Sequence, residues 1–224
     1  MYVKIRAMIS AVKKSKLRDI LTGQEMHVYK DDARSRVWRV RVKEEEFVVK
    51  RFNHNLIRQL LAWGLRCHPA VREEVMSKRL TKVGLPVVPI FGRGIDSGRG
   101  VLATRYVGPQ VYGLFKYGVD EVSVTRSVLL EKVADLLEAI LRKGFVFRDC
   151  KLSNFVWDDG TQAIMVIDAM SFQKTRSFCR VGRMLRVLDE TAVRAGWSDV
   201  EREKCYRMAG FDLLHVQHCL EGKS

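Results

Sequence analysis

The sequence predicts an α+β fold of two lobes: an N-terminal antiparallel sheet lobe with one helix, and a reduced, mainly helical C-terminal lobe. Alternating apolar and polar residues between positions 25 and 52 indicate the sheet, and a helical pattern after Pro69 indicates its helix. A long apolar helix face over residues 127–143 indicates the second lobe. We place the boundary at Gly108-Pro109, so that the lobes comprise residues 1–107 and 108–224.

Composition limits the class of protein. The chain has 224 residues, 47% of them hydrophobic, which is enough for a sizeable core. Its formal net charge of +14 favours anionic partners such as nucleotide phosphates, nucleic acid or an anionic membrane. Five scattered cysteines without C-x-x-C spacing predict reduced thiols in the cytoplasm, and neither a zinc site nor a disulfide framework. We expect no membrane-spanning helix and no secretory signal.

Two amphipathic segments are predicted in the first lobe. Met1–Leu21 places apolar residues at helical spacing among basic ones, so it would either lie on an anionic bilayer or pack on the domain with a solvated basic face. His54–Arg66 has a similar helical pattern, and it would pack in the ordinary way or dock a partner or membrane.

Strands are predicted over His27–Tyr29, Val37–Val42 and Phe47–Phe52. Lys50 stands near the end of the third strand, and a structural or surface role is the plain alternative for a single lysine there. The helix over Ala70–Val83 carries Glu73 on its inward stripe, where a carboxylate needs a cationic partner. Lys50 is the candidate partner; Glu74 is the neighbouring alternative to Glu73, and an exposed helix glutamate is the plain interpretation of either.

The rest of the chain is predicted to contain two more strands, a hinge and three helices. Two strands are predicted over Leu85–Ile90 and Gly100–Val107, and helices over Ser127–Lys143, Val181–Ala195 and Asp199–Met208. Gly108-Pro109 would form the hinge. A cluster of arginines begins the last part of the chain and would face an anionic acceptor: Arg176, Arg180, Arg183 and Arg186.

Two short apolar runs between Gly144 and Phe172 lead to aspartates. Asp149 follows the first run and Arg148, Asp168 directly follows the second, and a turn at Asp158–Gly160 joins two strands into a hairpin. In the plainest interpretation these polar residues only shape turns.

A chemical interpretation follows from the spacing. Asp149 would accept a proton from a hydroxyl nucleophile. Lys151, two residues later, resembles the lysine of the serine/threonine-type variant of kinase-like folds, where it would neutralise charge on a transferred phosphoryl group. Asn154 and Asp168 would offer Mg²⁺ the hard oxygen ligands that it prefers. Phosphoryl transfer requires these parts, and Asp149–Asn154 matches the D-x-x-x-x-N element of the protein-kinase-like fold.

The upstream elements stand in the order of that fold. Kinase-like folds keep their phosphate-binding lysine on a strand in the position of Lys50, ahead of a helix with a carboxylate such as Glu73. A G-x-G-x-x-G loop is absent, so the turn over Lys30–Arg36 would have to cover the phosphates, with Arg34 and Arg36 replacing glycine amides.

Within this superfamily the chain resembles the lipopolysaccharide core kinases, the Kdo/WaaP-type sugar kinases that include heptose kinases. The resemblance extends from about Val37 to Phe172. It is carried by the strand VVKRF, the segment AVREEVMSKRLTKVGLPVVPI, and the motifs RDCKLSNF and VIDAMSF. The family likeness implies a bilobal protein-kinase-like fold.

The resemblance implies a function and roles for six residues. ATP and Mg²⁺ would be the cosubstrate and metal, and a heptose or Kdo hydroxyl of the lipopolysaccharide inner core would be the acceptor. Asp149 would be the catalytic base with Lys151 beside it, Asn154 and Asp168 would bind Mg²⁺, and Lys50, positioned by Glu73, would bind the α- and β-phosphates. The enzyme would be cytoplasmic and peripheral on the anionic cytoplasmic face of the inner membrane, and we expect no nucleic-acid partner.

Some positions depart from the kinase pattern. Phe147 stands where the fold usually has histidine, and Ala169-Met170 follows Asp168 in place of Phe-Gly. Neither change removes a catalytic atom. Two alternatives stay open: a serine/threonine-type protein kinase, which the missing A-P-E-like segment disfavours, and a catalytically silent kinase-like binding module.

Overall fold

The computed structural model describes residues 16–53, 62, 65, 67–118, 122–175 and 177–211. Most of the basic N-terminal segment, nearly all of the helix predicted over His54–Arg66, and Arg176 lie outside the described residues. The chain divides into two compact units. The first comprises the described residues up to Ser77 with Val88–Tyr106, and the second comprises Lys78–Val87 with the described residues from Val107 onward.

The first unit is built on a five-stranded antiparallel sheet in the order β1-β2-β3-β5-β4. Its strands are β1 (Gln24–Asp31), β2 (Ser35–Val42), β3 (Glu45–Phe52), β4 (Ile90–Asp96) and β5 (Arg99–Arg105). The predicted meander is confirmed. In the β2–β3 pair Val40 faces Phe47, and a slip of one residue in either strand would turn the core-facing side chains of that strand to the opposite face of the sheet.

One face of this sheet holds the main core of the first unit. Residues 16–21 are helical, and Leu17 and Ile20 pack there with buried side chains of three strands: Trp38, Val40, Phe47, Val49, Val101 and Ala103. Successive strand residues point to opposite faces, so Lys50 and Phe52 lie on the other face from Val49.

Helix α1 (Pro69–Lys82) packs on that other face. Ala70 forms a buried cluster with Phe52 and Leu102, and the His68 Nδ1 atom accepts a hydrogen bond of 3.1 Å from the Ala70 amide at the helix start. The His68 ring lies so close to Gly100 of β5 that a Cβ there would come within 2.1 Å of it. The predicted helix is confirmed, and Gly84 follows its end with a φ of 81°.

The strand predicted over Leu85–Ile90 is wrong. Strand β4 begins only at Ile90, and the preceding residues contribute one isolated parallel bridge between Val87 and Val166. The reason is that Pro86 and Pro89 have no backbone N–H to donate, so this apolar segment cannot form a regular ladder.

The second unit is mainly helical with two short hairpins. Its helices are α2 (Val111–Tyr117), α3 (Arg126–Arg142), α4 (Phe178–Arg194) and α5 (Asp199–Met208), and its strands are β6 (Phe145–Phe147), β7 (Phe155–Asp158), β8 (Ala163–Val166) and β9 (Phe172–Lys174). Helices α3, α4 and α5 confirm the three predicted from the sequence, whereas α2, which contains Gly113, was not predicted. No helix of the described chain is both long and apolar enough to cross a bilayer.

Arg126 joins three helices of the second unit. From the start of α3, its guanidinium donates to both carboxylate oxygens of Glu201 on α5, at 2.6 and 3.1 Å. It also donates to the carbonyl oxygens of Phe115 (3.0 Å) and Gly196 (2.7 Å). Glu201 completes a capping box with Ser198 at the start of α5. The hydrogen bonds that Glu201 accepts, chiefly from Arg126 and then from Ser198, lower the pKa of Glu201 from 4.5 to about 2.

Replacing Glu201 with glutamine is therefore expected to lower the free energy of unfolding near neutral pH by roughly 1–2 kcal/mol, allowing for solvent screening. Because the folded state lowers this pKa, the carboxylate stabilises the fold above the ordinary value of 4.5 and loses that effect as the pH falls toward 2. Urea unfolding across this range should give a smaller loss of stability with acid in the variant. Glu203→Gln, which removes an exposed ion pair with Arg207 on the same helix, should change little. Equal losses in both variants would contradict the prediction.

Candidate active site

Strands β6 and β9 form the base of the predicted catalytic segment. They pair antiparallel with Phe147 opposite Phe172, and the two rings stack with centroids 4.3 Å apart. The side chain of Phe147, at the position of the usual kinase histidine, is thus fully buried and packs the core. The Arg148 amide donates to the Ser171 carbonyl oxygen at 3.2 Å, which brings the residue before Asp149 alongside the turn that follows Asp168.

The loop after β6 is anchored by its apolar side chains. Cys150 and Leu152 are fully buried. Asp149, which precedes Cys150, and Lys151, which lies between the two buried residues, are half-exposed. Backbone bonds from the Lys151 amide to the Asp149 carbonyl and from the Asn154 amide to the Lys151 carbonyl, both 2.8 Å, fold the loop into a compact turn. Burial raises the pKa of the Cys150 thiol, so this cysteine stays protonated and packs as a small apolar group.

The Asp149 carboxylate is held from both sides. Lys151 Nζ lies 2.6 Å from Oδ1, and the Asn154 side-chain amide donates to Oδ2 at 3.1 Å and to the Asp149 carbonyl oxygen at 2.8 Å. The Asn154 side chain thus returns to the residue that begins the loop. Lys151 has three N–H donors and a side chain that is 44% exposed, so it has donors to offer a phosphate as well as Asp149.

Asp168 occupies a conformation that few residues adopt. It has φ 61° and ψ 44°, the left-handed region, and a 3-10 turn over Ala169–Ser171 follows it. The Ile167 amide donates to the Asn154 carbonyl oxygen at 3.0 Å, so the residue before Asp168 is bonded to the backbone of Asn154. Asp149, Lys151 and Asn154 therefore form one hydrogen-bonded assembly within the second unit, and the residue before Asp168 is bonded to its backbone. Asp168 occupies its strained position at a cost of order 1 kcal/mol or more, as functional sites often do.

The donor set suits a hard divalent cation. The Asn154 amide nitrogen is turned to Asp149, so its carbonyl oxygen would be the ligand atom, and Asp168 would add a carboxylate. The described residues contain no group of three or more His, Cys, Asp or Glu side chains placed to hold a metal. A cation at Asn154 and Asp168 would thus need further oxygen ligands, which Mg²⁺ commonly takes from phosphates and water.

Helix α4 supplies two contacts that the sequence did not reveal. The Met184 sulfur accepts the Phe147 amide at 3.3 Å, and Thr191 Oγ1 accepts the Leu152 amide at 3.2 Å while donating to the Leu188 carbonyl oxygen at 2.9 Å. The two amides flank Asp149 in the chain. No local pattern points to Met184 or Thr191, because their partners lie 37 and 39 residues away.

Thr191→Val is expected to loosen the loop. It leaves the amide of buried Leu152 without its acceptor, which costs about 1–3 kcal/mol, whereas Thr191→Ser keeps the hydroxyl. Hydrogen exchange at the Leu152 amide should be faster in the valine variant and close to the parent rate in the serine variant. Exchange that is unchanged in the valine variant would show that Thr191 does not hold this loop.

Lys50 lies in the first unit, in the middle of the sheet. It is half-buried on β3 between Val37 of β2 and Leu102 of β5, and its Nζ lies 5.5 Å from the centroid of the Phe52 ring. It shares a sheet face with Phe52, the face on which α1 packs. Because β3 is hydrogen-bonded to a strand on each side, the backbone position from which the Lys50 side chain extends is well fixed.

Glu73 is on α1, one turn beyond Ala70, which contacts that same face. It is only 6% exposed, and a carboxylate buried to this extent requires hydrogen-bond donors or a cation. The neighbouring alternative, Glu74, forms an ion pair with Arg93 of β4. This leaves Glu73 as the better candidate to position Lys50, and the pairing of these two side chains stays a prediction.

The turn between β1 and β2 is ordered without glycine. Asp32 Oδ1 accepts the amides of Ser35 (2.8 Å) and Arg34 (2.9 Å), and the bond from Ser35 lowers the pKa of Asp32. Arg36 donates to both oxygens of Glu25, so its guanidinium is engaged within the sheet. Of the two arginines predicted to cover phosphates, Arg34 at the exposed turn is the one that remains suited to that role.

Comparison with known proteins bears on the fold. No family model and no curated protein sequence matches the chain. Among solved structures it is similar to WbdD in a co-crystal structure with the kinase inhibitor LY294002, with a TM-score of 0.53 and 17% sequence identity. The fold is kinase-like. The likeness covers 89% of this chain but 45% of the WbdD chain, so the chain spans less than half the length of that protein.

Proposed function

We propose that this chain is an ATP-dependent kinase that phosphorylates a sugar hydroxyl, of heptose or Kdo, on the lipopolysaccharide inner core. The observation that carries the proposal is the hydrogen-bonded assembly of Asp149, Lys151 and Asn154 beside the strand end that presents Asp168. Its parts are those that phosphoryl transfer needs, a proton acceptor, a cation and hard oxygen ligands, and they stand on a kinase-like fold.

Each residue has a role in this proposal. Asp149 would orient the sugar hydroxyl and accept its proton, and Lys151 would neutralise charge on the phosphoryl group. Asn154 and Asp168 would hold Mg²⁺, which neutralises phosphate oxygens when bound. In the first unit, Lys50, positioned by Glu73, would bind the α- and β-phosphates of ATP.

The acceptor class rests on the sequence resemblance and on charge. A net charge of +14 suits a phosphate- and carboxylate-bearing glycolipid, and it suits peripheral association with the anionic cytoplasmic face of the inner membrane. A protein acceptor is less well supported. Residues 169–177 alone connect Asp168 to α4, and the turn and β9 occupy most of them, which leaves little chain for a peptide-binding platform.

The test uses labelled ATP, Mg²⁺ and two acceptors, dephosphorylated core glycolipid and a generic protein substrate such as casein. The parent chain should label the glycolipid, and Lys50→Met should lose nucleotide affinity and transfer. Lys43→Met, at the exposed β2–β3 turn of the same unit, is the control and should keep both. Labelling of casein alone would favour a protein kinase, and no binding of Mg·ATP by the parent would favour a silent binding module.

A further inference from the structure

Helix α4 has two contrasting faces. Its inner face is buried, and from it Met184 and Thr191 bind the backbone amides of Phe147 and Leu152. These two amides lie on either side of Asp149 in the chain. The helix is therefore tied to the candidate catalytic loop, and whatever binds its outer face has a fixed relation to that loop within the second unit.

The outer face is strongly basic. It carries four exposed arginines and one exposed acid, Glu190, and exposed Lys174 of β9 precedes the helix; the arginines are Arg180, Arg183, Arg186 and Arg194. Arg180 donates to the side-chain oxygen of Gln173 at 3.3 Å, which sets the first turn of α4 beside β9. By contrast, Arg202 of α5 donates to two aspartates, Asp189 and Asp199. Arg180, Arg183 and Arg194 are exposed to solvent, where an external anion can reach them.

Apolar side chains accompany these arginines. Phe178, the first residue of α4, is 74% exposed, and Val193 near its end is 52% exposed. Exposed apolar groups among basic residues are the composition of helices that lie in a membrane interface. Nucleic acid would also attract the arginines and would stack on a phenylalanine, but Val193 offers no ring to a base, whereas a bilayer accepts both side chains.

We infer that the outer face of α4, with Lys174 and Phe178, docks on a bilayer that contains acidic phospholipids. The inference deepens the proposed function and rests on it for its purpose: a chain seated on the bilayer through α4 presents to that bilayer the unit that holds Asp149. The arginines supply the electrostatic attraction, and Phe178 inserts at the level of the lipid headgroups.

Sedimentation with vesicles tests this directly. The full-length chain should bind vesicles of phosphatidylglycerol and phosphatidylethanolamine at ~0.1 M salt, and should bind phosphatidylcholine vesicles far less. Arg180→Glu with Arg183→Glu should weaken binding at least roughly thirtyfold, since each basic residue near the surface contributes about a fivefold effect. Acidic residues in the first turns of a helix favour it, so this double variant should keep α4 intact.

A matched double variant on another helix is the control. Arg72→Glu with Lys82→Glu removes the same charge from exposed positions of α1 and should change vesicle binding by no more than about threefold. Phe178→Ser should weaken binding several-fold without changing its salt dependence. Equal loss in both double variants would show an effect of net charge alone, and tighter binding to a single-stranded oligonucleotide than to vesicles would indicate nucleic acid; either result overturns the inference.

The vesicle assay needs neither ATP nor an acceptor, so the two proposals fail separately. A parent chain that transfers phosphate but ignores acidic vesicles overturns docking through α4 and leaves the kinase proposal standing. A chain that binds vesicles through α4 but transfers no phosphate overturns the kinase proposal and leaves docking through α4 standing.

Discussion

Replacing Asp149 with asparagine is expected to lower the rate of phosphoryl transfer by roughly 10²- to 10⁴-fold, the range for loss of a positioned proton acceptor. Asparagine has nearly the shape of aspartate, and its carbonyl oxygen still accepts from the Asn154 amide, which lies 3.1 Å from Oδ2 in the parent. Its side chain accepts no proton, and it no longer forms an ion pair with Lys151. The fold and the residues proposed to hold Mg·ATP stay in place, so transfer should fall while nucleotide affinity changes little.

Two measurements distinguish this from a general loss of structure. Calorimetric titration with Mg·ATP should give similar affinities for parent and variant, and single-turnover transfer to the core glycolipid should give the large difference in rate. Asp135→Asn, on the exposed side of α3, is the control and should transfer at the parent rate. Transfer by the Asp149 variant at more than about a tenth of the parent rate would remove Asp149 from the role of base.

The candidate site was recognisable in the sequence because its parts are close in the chain. Asp149 and Asn154 are five residues apart, and a single compact turn closes the bonds between them. Asp168 comes at the end of a hairpin whose turn, Asp158–Gly160, is equally local: Asp158 Oδ1 accepts the Gly160 amide at 3.1 Å. Short-range polar patterns of this kind can be recognised in a sequence without knowledge of tertiary contacts.

The support of the site could not be predicted in this way. Thr191 Oγ1 and Met184 Sδ reach amides 39 and 37 residues earlier in the chain, and both residues belong to an ordinary helical pattern. Whether a threonine bonds its own helix, a loop or water depends on which backbone packs beside it. The same holds for Glu73 and Glu74, which are adjacent in sequence and differ in burial because a helix turns by 100° per residue.

The error at Leu85–Ile90 has a different cause. Val87, Val88 and Ile90 have high strand propensity, but propensity reflects packing on a half-buried surface and not the availability of hydrogen-bond donors. With Pro86 and Pro89 interrupting the donors, the segment stays irregular, and Leu85, Val87 and Val88 are nevertheless buried. The apolar composition of this segment is matched by its burial, but it does not make the segment a strand.

The second large effect is expected at the predicted hinge. Gly108 has φ 155°, and a Cβ at this position would lie 1.9 Å from the Trp157 carbonyl oxygen, a backbone atom that no rotamer change can move. The approach is held by the Trp157 amide, which donates to the Pro109 carbonyl oxygen at 2.9 Å, and by a bridge between Gln110 and Val156. Gly108→Ala should therefore lower the free energy of unfolding by about 3 kcal/mol or more, since β7 or the 108–110 segment must shift.

The matched control is Gly113→Ala in α2. A Cβ there meets nothing within 4 Å, and alanine in a helix interior is favoured over glycine, so this variant should be stabilised by up to about 1 kcal/mol. The two substitutions add the same methyl group five residues apart, and only the surroundings differ. Urea titration followed by tryptophan fluorescence reports on both, because Trp157 is fully buried. Since Trp157 belongs to β7, which directly follows Asn154, the shift forced by Gly108→Ala should also reduce transfer, and an alanine variant as stable as the parent would show that this close approach is absent in solution.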